Sequence, residues 1–149
     1  MSNFTMETSI LKARIMQHVA DFLLKEIRYQ LYLTNILNKD KISDSFTADV
    51  DSVHGTIKIE SSFAPSKFLN SGTKPRNMLN LVGRTIPLKT PTGTLFRTVT
   101  WEQIITGKWK HPGIKGKHFI DIACENTKKE VPKIIKEEVR RFNEENPSR

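Results

Sequence analysis

Apolar residues recur at steps of mostly three and four from about Glu7 to Leu37: Ile10, Leu11, Ile15, Val19, Phe22, Leu23, Ile27, Leu31 and Leu33. That period predicts one long amphipathic helix. Lys12, Arg14, Gln17, Asp21, Lys25 and Arg28 take much of its polar side, and Thr8 or Ser9 is placed to cap its start. Apolar content thickens after Ile27 in IRYQLYLTNIL, so this end is expected to be buried, and Asn38-Lys39-Asp40 stops the helix. The period then changes to two. Phe46, Ala48 and Val50 alternate with polar residues, as do Ile57 and Ile59, with His54-Gly55 between the two runs as a turn. His54 reads as a turn residue and not as a ligand.

Residues 63–80 read as an extended loop broken by Pro65, Gly72 and Pro75. A second hairpin is expected in GRTIPLKTPTGTLFRTVT, turning at Thr90-Pro91-Thr92-Gly93, with Pro87 suited to an edge or a bulge. Thr100-Trp101-Glu102-Gln103 matches a capping box, so a short helix should run from Trp101 to about Thr106, with Gly107 ending it. A second extended loop, residues 107–118, leads to a final helix from Phe119 to about Asn143. Pro132 lies inside it and implies a kink or two abutting helices, and the tail NEENPSR is expected to fray. The order defines an α+β fold over residues 1–149 as a single domain: a long N-terminal helix, antiparallel hairpins in a small sheet, a short helix and a long C-terminal helix packed on it. Phe22, Ile27, Ile57, Ile59, Phe119, Ile122 and Val139 are the expected core. There is no internal repeat.

Charge changes this picture, because it is uneven. Of the net +8, residues 61–120 hold ten Lys or Arg against one acid, Glu102, a balance of +9. The remaining residues carry fourteen basic and fifteen acidic groups, a balance of −1. A local field of that sign attracts polyanions, nucleic acid first among them. Hydrophobic and charged fractions of 37% and 27% are ordinary for a soluble globular chain. No apolar run reaches the roughly 20 residues that span a bilayer, and MSNFTMETSILKAR does not read as a secretory signal. A lone cysteine, Cys124, forms no intramolecular disulfide; it fits a reducing compartment and reads as a small buried hydrophobe.

Candidate chemistry is thin. His111, His118 and Cys124 are spaced seven and six apart, which matches no zinc pattern, and His18 and His54 are remote in sequence. No Gly-x-Ser-x-Gly occurs. Glu102 stands alone in the loop-rich middle, where a nuclease would need acids to hold its metal. HPGIKGK is not a nucleotide cradle, since Gly113 and Gly116 are three apart and His118, not Ser or Thr, follows Lys117. No catalytic residue, metal or cofactor is therefore assigned, and WKHPGIKGKHFI reads as a Pro-Gly turn feeding a basic arm into Phe119.

Particular residues carry a resemblance: Ser61-Ser62-Phe63-Ala64, Ser71-Gly72-Thr73, Trp109 to Pro112-Gly113, and Lys117-His118-Phe119-Ile120. With the element order, they resemble the neck or tail-completion proteins of long-tailed bacteriophages, also called head–tail joining or tail-component proteins. Phe63 stands where that family has Tyr, Ser71 where it has an acid, and His118 where it has Pro. The resemblance implies a non-catalytic virion protein, a homo-oligomeric ring at the head–tail junction, assembled in the host cytoplasm with adjacent neck, connector or tail proteins and without a membrane. Gly72, Thr73, Trp109, Pro112, Gly113 and Phe119 are then its structural motif. Lys74, Arg76, Arg84, Lys89, Arg97, Lys108, Lys110, Lys115 and Lys117 are the candidates for facing the DNA channel or a partner ring, in contacts free of sequence preference. A stand-alone basic nucleic-acid-binding protein, with Phe96, Trp101 and Trp109 stacking on bases, is the alternative.

Overall fold

The computed structural model describes residues 3–147. The fold is α+β, with the expected order of long helix, hairpins, short helix and long helix. By its internal contacts the chain forms two compact units: Met1–Asn70 with Lys117–Arg149, and Ser71–Gly116.

In the first unit, helix α1 (Asn3–Tyr32) is followed by α2 (Lys39–Asp44), strands β1 (Phe46–Asp51) and β2 (Thr56–Ser61), α3 (Ser66–Ser71, whose last residue begins the second unit) and α5 (Phe119–Glu145). α1 starts earlier than the periodicity predicted, so Thr8 and Ser9 lie inside it and do not cap it. It also stops short of Leu37. The chain turns after Tyr32, which leaves Leu37 85% exposed, and Asn38 enters α2 with φ 58°. The apolar run IRYQLYLTNIL is thus split between a buried helix end and an exposed turn.

α1 and α5 pack antiparallel, as cross-links show. Arg14 Nη1 meets Glu145 Oε2 at 2.6 Å, His18 Nδ1 meets Glu138 Oε1 at 2.8 Å, and Asn126 Nδ2 donates to Glu26 Oε1 at 2.7 Å. Glu138 is buried, so its partners matter more than those of the exposed pairs: His18 and Arg141 (Nη1, 3.4 Å) share its Oε1. One end of this helix pair is closed by the core. Ile27, Leu31, Ile42, Phe46, Phe119 and Ala123 are all buried, with Ile59, Phe63 and Leu69 packed against them. Phe119 is fully enclosed and stands edge-on to Phe46, with ring centroids 6.1 Å apart and planes at 84°.

Of the expected core, Ile27 and Phe119 are buried, and Phe22, Ile57, Ile59 and Val139 are half-buried. Ile122 is corrected: it is 44% exposed. The buried line of α5 runs through Phe119, Ala123, Thr127, Ile134 and Glu138, and Ile122 falls on its flank. Pro132 sits on the exposed side of one unbroken helix, so α5 is not two abutting helices. It runs to Glu145, beyond the expected end at Asn143; the last residues of the tail, 148–149, lie outside the described residues.

The β1–β2 hairpin pairs Phe46 with Ser61 through Asp51 with Thr56, and Gly55 takes φ 72° in its turn. Asp51 organises that turn. Its Oδ1 accepts the Val53 and His54 amides at 3.0 and 3.1 Å, while Oδ2 faces His54 Nδ1. Those bonds from His54, backbone first, hold the Asp51 carboxyl below the usual carboxylate range.

In the second unit, β3 (Gly72–Thr73) and β4 (Arg76–Asn77) precede a 3₁₀ turn at Leu79–Leu81. Then follow β5 (Thr85–Thr90), β6 (Gly93–Thr98), α4 (Trp101–Ile105), β7 (Lys110–His111) and β8 (Ile114–Lys115). The two stretches expected as extended loops, 63–80 and 107–118, are therefore not loops throughout. The first holds α3, and parts of the two pair with each other. The hairpins form separate two-stranded sheets and not one small sheet.

Candidate functional site

The pairing between those segments builds the centre of the second unit. Gly72 faces Lys115, Thr73 faces Ile114, Arg76 faces His111 and Asn77 faces Lys110. The register does not change across the gap, and Met78 N–H continues it by donating to the Trp109 carbonyl at 3.0 Å. The two short ladders are one antiparallel ladder, interrupted where Pro75 and Pro112 stand opposite each other. Neither proline has an N–H to give. Thr73 Oγ1 bridges one side of the gap by accepting the Ile114 amide at 3.0 Å. His111 Nδ1 accepts the Gly113 amide at 3.0 Å, which leaves Nε2 as the protonated nitrogen of the neutral ring.

Both glycines at this crossing are required. Gly72 and Gly113 take φ 78° and 84°. A Cβ on Gly72 would lie 2.6 Å from the Gly116 nitrogen, and one on Gly113 3.0 Å from the Pro75 nitrogen. The strands approach too closely for any side chain there. Five of the six residues expected from the resemblance as a structural motif, Gly72, Thr73, Trp109, Pro112 and Gly113, therefore meet in this one ladder.

Trp109 is anchored from the neighbouring helix. Thr100 and Gln103 form the expected capping box of α4, and the same Gln103 Oε1 accepts the Trp109 indole N–H at 3.0 Å. Val99 and Ile104 are the only fully buried apolar side chains described between Ser71 and Gly116. So small a core leaves much apolar surface out: Leu79, Leu95, Phe96, Trp101 and Ile105 are each at least half exposed. Phe96 and Trp101 are thus available for contact, whereas Trp109 is half-buried and tied.

The cations are distributed as follows. Lys74, Arg76, Arg84, Lys89, Arg97, Lys108, Lys110 and Lys115 all belong to the second unit, and all are exposed. Glu102 is the only acid among them. None of the eight is paired with a carboxylate among the described residues, where every ion pair lies in the first unit. They do not share one face. In the β5–β6 ladder Ile86 faces Arg97 and Lys89 faces Thr94, so Lys89 and Arg97 project from opposite sides of the ribbon. Arg76 and Lys110 likewise project from opposite sides of the other ladder.

Lys117 and Phe119 belong to the first unit. Lys117 and His118 donate backbone N–H to the Leu69 and Asn70 carbonyls at 2.9 and 3.0 Å. The buried Asn70 side chain accepts the Ile120 amide at 2.9 Å and donates to Asp121 Oδ2 at 3.2 Å, which fixes the start of α5. His118 takes φ 53° and meets Asp121 Oδ2 through Nδ1 at 3.0 Å.

Other chemistry-bearing groups have structural surroundings. Burial pushes the Cys124 thiol up from its ordinary value, which disfavours the thiolate. Among the described residues no group of three or more His, Cys, Asp or Glu converges as a metal site would require. A shallow depression of about 240 Å³ is lined by Lys41, Asp44, Ser45, Ser62 and Phe63. Ser45, Ser61 and Ser66 join hydroxyls beside it at 2.8 Å. No helix among the described residues is long and apolar enough to cross a membrane. Nothing in the sequence pointed to the pairing of 72–78 with 109–115, nor to the exposure of Leu95 and Phe96 on the β5–β6 hairpin. Comparison of the chain with family models, curated proteins and solved structures finds no match.

Proposed function

We propose that this chain is a structural, non-catalytic subunit of a tailed-bacteriophage virion, forming a neck or tail-completion ring that joins head and tail around the DNA channel. The observation that carries the reading is the interrupted ladder. The sequence segments that resemble that family, at Ser71-Gly72-Thr73 and at Trp109 to Gly113, are paired with each other around two glycines that tolerate no side chain. The composition of the second unit also supports it. A small buried core and a large exposed apolar and basic surface suit a segment that completes its packing against other subunits. In this role its partners are further copies of itself, adjacent neck, connector or tail proteins, and packaged DNA contacted without sequence preference.

The test is mass spectrometry of purified particles, supported by electron microscopy of the purified protein. The proposal expects the chain in virions at a stoichiometric, ring-like copy number. Its absence from particles would overturn the assignment. The eight unpaired cations also fit the second reading, a stand-alone nucleic-acid-binding protein, which expects DNA binding by the isolated protein and no place in the particle.

A further inference from the structure

We propose that the β5–β6 hairpin is a groove-binding β-ribbon, a site for duplex DNA that contacts the phosphates on both walls of the groove. The inference rests on the DNA-contacting part of the function proposed above and not on ring assembly.

The ribbon begins at a defined base. Gly83 N–H donates to the Val99 carbonyl at 2.9 Å and Val99 N–H to the Arg84 carbonyl at 3.0 Å, so the ladder extends one pair below Thr85–Thr98. Every residue of β6 is exposed, on both faces. Leu95 and Phe96, adjacent in sequence and therefore on opposite faces, are 52% and 69% exposed. Among the described residues of the ribbon only Ile86 and Leu88 are half-buried; the rest are exposed. Its charge is of one sign, since the chain from Ser61 to Trp101 holds no acid.

The placement of its charges selects the occupant. Lys89 and Arg97 project from opposite faces, and the residue opposite Lys89 is Thr94, three positions from Arg97. The two cations are therefore about 10 Å apart along the ribbon. A flat acidic protein surface would engage one face and leave the other cation unused. A DNA groove has phosphates on both walls, and the major groove, about 12 Å wide, admits a two-stranded ribbon. Arg84 at the base and the Thr94 hydroxyl beside Lys89 add further phosphate donors.

Strand addition by another chain, the other common fate of an uncovered hairpin, is opposed on the β5 side. In a two-residue hairpin the closing pair, here Thr90–Gly93, is hydrogen-bonded, and so is every second pair below it. Pro87–Phe96 falls on the alternate pairs. The missing N–H of Pro87 therefore faces outward and interrupts the edge that a new strand would need.

The experiment measures fluorescence anisotropy of the full chain with a labelled random-sequence duplex of about two helical turns. The same-length single strand and poly-glutamate serve as competitors. Lys89→Glu and Arg97→Glu are compared with Lys25→Glu, a charge-matched change on an exposed position of α1. Circular dichroism checks that each variant is folded. Each ribbon variant is expected to weaken duplex binding about 5- to 10-fold near 0.1 M salt and to lower the salt dependence by about one released counterion, with Lys25→Glu changing it less than about twofold.

Several results would overturn the proposal. These are no duplex binding at low salt, equal loss from all three variants, loss from only one of the two ribbon cations, tighter binding to the single strand, or poly-glutamate competing as an equal of DNA for the protein. The last would point to an acidic protein partner instead. Virion content is scored separately. Loss of the ribbon effect in a protein still found in particles removes this site and leaves the subunit assignment standing.

Discussion

Replacing Phe119 with Ala tests how the first unit is held together. Its ring is fully buried among Ile27, Leu31, Ile42, Phe46 and Ala123. Withdrawing the ring from its apolar surroundings costs about 2–3 kcal/mol of transfer free energy. If the site closes only partly, a residual void of about 60 Å³ adds roughly 1.5 kcal/mol. The lost edge-on contact with Phe46 adds about 0.5–1 kcal/mol. The sum is about 4–5.5 kcal/mol, a large share of a small domain's stability. Urea denaturation followed by far-ultraviolet circular dichroism reads this, because the long helices α1 and α5 lie in that unit. With a slope of about 1.5–2 kcal/mol per molar urea, the midpoint should fall by about 2–3.5 M. Ile122→Ala, at an exposed position on the same helix, should cost under about 1 kcal/mol. Tryptophan fluorescence adds a second probe, since Trp101 and Trp109 are the two tryptophans and both lie in the other unit. A Phe119→Ala loss below about 1 kcal/mol, or one no larger than that of Ile122→Ala, would refute the anchor role.

Gly113→Ala should cost about 2 kcal/mol or more in a tryptophan-fluorescence melt, from positive φ plus collision with the facing backbone, and Gly83→Ala about 1 kcal/mol, since nothing lies within 4 Å of its Cβ position. Equal losses would show that the close crossing is not what demands Gly113. Asp51, whose carboxyl is held below its ordinary 3.8, contributes stability to its turn above that value. The contribution is lost as pH falls through the lower folded value. The Val53 and His54 amide resonances should therefore titrate below pH 3.8, and a midpoint above it would contradict the turn geometry.

Local signals in the chain were legible where one segment determines its own structure. Alternation and the His54-Gly55 and Pro91-Thr92 turns placed both hairpins, and Thr100 with Gln103 marked the start of α4 at Trp101. The start of α5 at Phe119 was also legible. Three things were not. α2 and α3 are six residues each, too short to show a helical period. The end of α1 depends on a turn that Leu33 and Leu37, apolar yet exposed, disguise as more helix. The ladder between 72–78 and 109–115 joins segments of two or three residues distant in sequence, and pairing of that kind leaves no periodic trace. For the site, composition located the cations but could not assign their faces. That required the register, which sends Lys89 and Arg97 apart.

The bonds from Lys117 and His118 to the Leu69 and Asn70 carbonyls bring the two ends of the segment Ser71–Gly116 to neighbouring points on one scaffold. In polymer terms that segment is a loop whose closure is already fixed by the scaffold. The entropy of closing a flexible loop grows only logarithmically with its length, so doubling the segment would cost the scaffold about 0.6 kcal/mol. Such an arrangement permits the inserted portion to lengthen, shorten or be exchanged by recombination while the helical frame and its Asn70 clasp stay unchanged. Its surface and charge can then diverge at a rate that the core around Phe119 does not limit.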